Sequence, residues 1–230
     1  MIIPFKQYIV EAPDGKERNW NSYAQRNFNP HIGDNTDIKK NENGADMTMR
    51  KLTSAHKKTD EYSVHHIKNY LDEPKPLDDH LVASANSVRA PEYTFGGHDI
   101  RALDRASRQH RLKTDVTVHI GMDRNIFGQT RPAVQKPYLA DISPNVSRTF
   151  SENSTGETVR HVARIDIPQG TRVGLIGRAK GTDGNPVFPE KRNKMLIPRG
   201  GTFIPNGGDV EKYRDNDGNA IHVHRYTYQQ

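Results

Sequence analysis

The side chains that could do chemistry in this chain are histidines, carboxylates and a few serines. Cysteine is absent, which excludes thiolate nucleophiles, disulfides and Cys-based zinc sites. His222-Val-His224 places two imidazoles on one face of an extended segment. A zinc-type centre needs a third and usually a fourth ligand, and none is identifiable along the chain. His65 and His66 are neighbours on a helical pattern, so they point to different faces. Asp215-Asn-Asp-Gly-Asn219 opens like a calcium loop but lacks the sixth-position Gly and the twelfth-position Glu, and reads as a turn. Ser143 and Ser147 have no general base at readable spacing. Gly200-Gly201 and Gly207-Gly208 do not sit between a strand and a helix, so no phosphate loop is implied. Trp20, Tyr23 and Phe28 stand in a polar stretch. They are candidates for anchoring a partner or for packing on the chain's own domain.

The elements that must position these groups follow from periodicity. Residues 1–12 form a short amphipathic segment in which Ile2, Ile3, Phe5, Tyr8 and Ile9 make an apolar face. Residues 13–58 are rich in Asn, Asp, Lys and Gly and read as an extended polar arm, too poor in apolar side chains to form a core. From Asp60, a plausible N-cap, three helical patterns follow: Val64, Ile67 and Leu71; Leu77, Leu81, Ala85 and Val88; and Ile100, Leu103 and Ala106. Past Leu112 the period becomes two. Val116, Val118 and Ile120 alternate with polar residues. Val162–Ile167, Arg172–Ile176, Met195–Ile197 and Ile221–Tyr228 read as further strands. Helices first and strands afterwards predict an α+β domain over residues 59–230.

The bulk numbers narrow the function classes. With 33% hydrophobic residues among 230, a core of roughly 130–150 residues with polar arms is expected. The net charge of +6 comes from 34 basic and 28 acidic residues that are interspersed. Nucleic-acid binding is permitted but not favoured, since no long Lys/Arg block occurs. No apolar run approaches the ~20 residues that span a membrane, so no membrane partner is expected. The N-terminus lacks a basic n-region and a long apolar stretch, so no signal peptide is expected.

Four segments occur in one order: Thr114-Asp-Val-Thr-Val-His-Ile-Gly121, Ile142-Ser-Pro-Asn-Val-Ser-Arg-Thr-Phe150, Arg164-Ile-Asp-Ile-Pro-Gln-Gly170 and Lys194-Met-Leu-Ile-Pro-Arg-Gly-Gly-Thr-Phe203. Together they resemble the mono-ADP-ribosyltransferase family. The resemblance implies N-terminal helices followed by a mainly antiparallel two-sheet core, here with an extended N-terminal arm. In that family the first core strand commonly ends Val-Tyr-Arg-Gly, and the arginine holds NAD phosphates. The matching residue here is Ile120. A Ser-Thr-Ser motif precedes the Ser-Pro segment in the family; here Leu139-Ala-Asp141 stands there. The family glutamate directly before Val-Leu-Leu-Pro-Arg-Gly stabilises the oxocarbenium-like state; here it is replaced by Lys194, which would repel a developing cation.

Two rescues follow from the same resemblance. Some relatives use a histidine on the first strand, and His119 adjoins the expected position, although a bulge or shift would be needed to turn it. Glu190 lies four residues before Lys194, and Tyr138 is near; the three make a His/Tyr/Glu candidate set. Ile9-Val-Glu11-Ala12 resembles the cleavage junctions of proteins packed into tailed-phage heads, with Glu11 and Ala12 flanking the cut. The expectation is a catalytically degenerate ADP-ribosyltransferase-like protein without cofactor. It would be built into a phage virion, in head or neck, with other virion proteins and its own copies as partners. The alternatives are an active NAD-dependent mono-ADP-ribosyltransferase acting in the host cytoplasm and a basic nucleic-acid-binding accessory.

Overall fold

Alternating apolar and polar side chains shape the central strands. The computed structural model describes residues 18–20, 23, 61–72, 81, 94–95, 98–121, 134–142, 159–176, 194–207, 210–214 and 218–230. Among these the strands are β1 (Arg18–Asn19), β2 (Thr94–Phe95), β3 (His98–Asp99), β4 (His110–Arg111), β5 (Val116–Gly121), β6 (Tyr138–Asp141), β7 (Val159–Ile167), β8 (Arg172–Leu175), β9 (Lys194–Ile197), β10 (Thr202–Pro205), β11 (Glu211–Arg214) and β12 (Ala220–Gln229). The helices are α1 (Glu61–Asp72) and α2 (Ile100–Ser107).

One ten-stranded sheet runs β1-β11-β12-β7-β5-β6-β9-β8-β4, with β10 also on β12. β12 lies parallel to β7, and β1 lies parallel to β11. One edge of β12 pairs with β7 from Ala220 to Thr227. The other edge is shared, β11 taking Ala220–Val223 and β10 taking Tyr226–Gln229. The sheet curls over its own core. In a flat sheet β10 and β6 would lie roughly 19 Å apart, four strand spacings along the ladder. Instead the rings of Phe203 and Tyr138 are 5.6 Å apart. The Val134 N–H donates to the Gly201 carbonyl at 2.8 Å, and the Gly200 N–H donates back to the Val134 carbonyl at 2.7 Å.

The inner face collects Val116, Val118, Ile120, Ile165, Ile167, Met195, Ile197 and Tyr228 into the main core. The outer face has two separate covers. Ile67 and Tyr70 of α1, with Leu103 and Ala106 of α2, pack on Ile176 and Leu196. At the opposite end of the sheet Trp20 and Tyr23 pack on Val162, Tyr213, Ile221 and Val223. Two glycines permit close approaches. A Cβ on Gly174 would stand 2.7 Å from the Ala106 carbonyl of α2, and one on Gly201 would stand 2.5 Å from the Tyr228 ring.

The fold class read from the sequence is corrected here. The described chain is mostly β, with one large mixed sheet and two short helices of 12 and 8 residues, not N-terminal helices followed by a mainly antiparallel two-sheet core. The physical reason is that period two reports a strand's faces and not its partners. β12 carries both β11 and β10 on one edge, which joins strands that would otherwise form two sheets. The first and third helical patterns are α1 and α2. Of the second, only Leu81 lies within the described residues, and it is buried against the outer-face helices.

Candidate functional site

Strand register, rather than sequence proximity, builds the site. Arg225 opposes Arg164, Arg164 opposes His119, His119 opposes Asp141, and Asp141 opposes Lys194. Directly opposed residues share a face of the sheet, so the five polar side chains form one row across five strands. The row lies on the outer face, between the helix cover and the Trp20/Tyr23 cover. On β5 the alternation sends Val118 and Ile120 inward and Thr117 and His119 outward.

His119 is completely buried at the middle of the row. Its Nε2 is 3.1 Å from the Tyr23 hydroxyl, whose ring stands edge-on to the imidazole at 5.9 Å. Among the described residues its Nδ1 has no hydrogen-bond partner. Burial, assisted by the Arg164 guanidinium, pushes the imidazole down to about 3. At neutral pH His119 is therefore uncharged and offers no cation to a phosphate. Burial also holds the Tyr23 phenol well above its ordinary range.

Asp141 is buried and lies 2.5 Å from the Lys194 ammonium, Oδ1 to Nζ. Burial raises its carboxyl, and the hydrogen bond and charge of Lys194 pull the other way. The two groups neutralise each other in a site from which water is nearly excluded. Beyond the row, Tyr23 stacks on Trp20 at 4.8 Å and packs on Tyr213 at 4.7 Å. The Tyr213 hydroxyl donates to Glu211 Oε2 at 2.5 Å, and burial followed by that bond pushes the phenol up to about 12. Glu211 also pairs with Arg225.

The positions singled out from the sequence fall as follows. His119, Leu139, Asp141 and Lys194 share the outer face, and His119 needs no bulge to join them. Ile120 points into the main core. Tyr138 is on the opposite face from His119, against Phe203, so the two do not act on one bound molecule from one side. Trp20 and Tyr23 pack on the chain's own sheet. Glu11, Ala12, Phe28, Ser143, Ser147 and Glu190 lie outside the described residues. The Tyr23–His119 contact, 96 residues apart, left no local signal in the sequence. The Asp141–Lys194 pair was present as two substituted family positions whose complementary charges went unread.

The arginine in Pro198-Arg199-Gly200 is a fastener. Its Nε and Nη2 donate to the two carboxylate oxygens of Asp104 at 2.8 and 2.7 Å, tying the turn after β9 to α2. Arg108 of the same region donates to the Arg199 carbonyl at 2.8 Å.

No protein-family model matches the chain, and no curated protein matches it in sequence. Solved structures do match. Plx2a, an ADP-ribosyltransferase toxin from Paenibacillus larvae, aligns with a TM-score of 0.51 and 16% identity over 93% of this chain and 98% of its own. C3larvin toxin, an ADP-ribosyltransferase from the same organism, aligns with a TM-score of 0.51 and 16% identity over 74% of this chain and 95% of its own. The ADP-ribosylating toxin BECa of a C. perfringens binary enterotoxin, solved with NADH, aligns with a TM-score of 0.52 and 13% identity over 93% of this chain and 50% of its own. The chain thus spans about half the length of BECa and nearly all of Plx2a. At such identities the likeness speaks to architecture alone, and that architecture is the mono-ADP-ribosyltransferase fold.

Proposed function

We propose that this chain is a catalytically degenerate ADP-ribosyltransferase-like protein that serves as an interaction or structural component. The observation that carries the reading is Lys194, at the position where the resembled family keeps its glutamate, held in an ion pair with Asp141. An oxocarbenium-like centre would meet an ammonium there, and the nearby carboxylate is already engaged. His119 adds a neutral, tyrosine-capped imidazole where an NAD-binding cation would be needed. The acid and the base of the row are spent on each other, as expected of a site that has become part of the core.

The placement in a tailed-phage particle rests on the Ile9–Ala12 junction. It predicts that mass spectrometry of purified particles finds the chain at fixed stoichiometry with N-termini beginning at Ala12. Its absence from particles would overturn the placement. The loss of NAD chemistry is tested separately by calorimetry with NAD. The reading expects no binding by the full-length chain in the micromolar range. Saturable binding abolished by Glu190→Ala would favour the active-enzyme alternative instead.

A further inference from the structure

Three histidines meet on the inner face of the sheet, opposite the polar row. His161 on β7 is the cross-strand neighbour of His222 on β12, and His224 follows two residues along β12 on the same face. His161 Nδ1 and His224 Nε2 are 3.2 Å apart. The His161 ring centroid lies 5.4 Å from that of His222 and 5.5 Å from that of His224. All three side chains are partly exposed.

We propose that His161, His222 and His224 form a binding site for one divalent transition-metal ion of the zinc class. Two imidazole nitrogens bound to one tetrahedral ion at ~2.0–2.1 Å stand about 3.3 Å apart. The His161–His224 pair is already at 3.2 Å. In the metal-free chain one imidazole N–H donates to the other nitrogen. On binding, the donor ring changes tautomer: the bridging nitrogen gives its proton to solvent, the ring's other nitrogen takes one up, and the ion occupies the vacated place between the rings. His222 stands edge-on to His161 at an interplanar angle of 85°. Among the described residues no three donors yet converge on one point, so His222 must rotate about its side-chain torsions to complete the set.

The pattern is a His-x-His pair on one strand with a third histidine from the adjacent strand. Three protein ligands leave a fourth position for water, as in open zinc sites. Imidazole favours zinc, copper and nickel over magnesium and calcium. Ligand histidines must be neutral, and two of the three, His222 and His224, are disposed to be. Burial, then the neighbouring His161 and His222, push His224 down to about 3; burial, then His161 and Lys212, lower His222. Lys212, cross-strand from His222, is the charged neighbour that opposes the ion, and it is exposed, where solvent screens it.

The test uses tag-free, EDTA-treated full-length protein titrated with zinc chloride against a chromophoric chelator, and with cobalt(II) followed by its visible absorption. One ion per chain is expected, with the intense bands of tetrahedral cobalt and a zinc-dependent rise in Tm. His161→Gln and His224→Gln should each weaken binding by at least the roughly 10–100-fold typical of a lost outer-shell partner. His65→Gln, on α1, should leave it unchanged. No binding and no zinc-dependent rise in the wild-type Tm would overturn the proposal. So would an affinity that survives both substitutions, since the ion would then sit on others of the 11 histidines.

Discussion

At the residue scale the row from Arg164 to Lys194 makes its charges depend on one another. Removing one partner of a buried ion pair leaves the other uncompensated, which typically destabilises by about 3–5 kcal/mol. Lys194→Met alone should approach the low end of that range, because the lysine side chain keeps 15% exposure. Lys194→Met with Asp141→Leu should recover most of the loss, and urea unfolding of the single and double variants measures both. Acid should loosen the fold. His119 and His224 have folded values of about 3, against ordinary values of 6.5. Both are depressed, so the unfolded chain binds more protons in this window, and stability is lost as pH falls from about 6.5 toward 3. Asp141, with its carboxyl raised, acts in the opposite direction and partly offsets the loss. His119→Gln, which keeps a hydrogen-bonding group for Tyr23, should flatten the pH dependence of the unfolding free energy between 6.5 and 4.

At the element scale the joints between strands and helices are narrow. A Gly174→Ala chain would press its new Cβ on the Ala106 carbonyl, a backbone atom that cannot swing away. Overpacking of this kind costs about 1–3 kcal/mol, so a lowered denaturant midpoint is expected. Much of this layout was legible in the sequence. The alternation of Val116, Val118 and Ile120 marked β5, and the spacing of Ile100, Leu103 and Ala106 marked α2. β11 was not legible, because Glu211-Lys-Tyr-Arg214 buries only Tyr213 and has no apolar period. The facing of His119 was not legible either. Pairing with Asp141 across β5 and β6 turns His119 outward, and Ile120 points into the main core. Register between strands separated by long connections is a property of the assembled sheet, not of either strand.

At the scale of the whole molecule, Trp20 and Tyr23 cover one end of the outer face. Residues 13–58 read as a polar arm with few apolar side chains. Yet Arg18–Asn19 adds a strand to β11, and Trp20 and Tyr23 fill the aromatic cluster above β7 and β12. Composition averages over a segment and misses two well-placed rings. Truncating a buried tryptophan typically costs about 3–5 kcal/mol. Trp20→Ala should therefore lower Tm, and proteolysis should reach the segment around Tyr23 sooner in the variant. The same cover holds His119 away from solvent.

The central claim is that the fold persists here without NAD chemistry because Lys194, paired with Asp141, occupies the glutamate position. Nicotinamide release from NAD by the purified full-length chain tests it most directly. The account predicts a rate no higher than the protein-free control. Release above that control, lost on Glu190→Ala or His119→Ala, would contradict it and show an active centre rebuilt around the row.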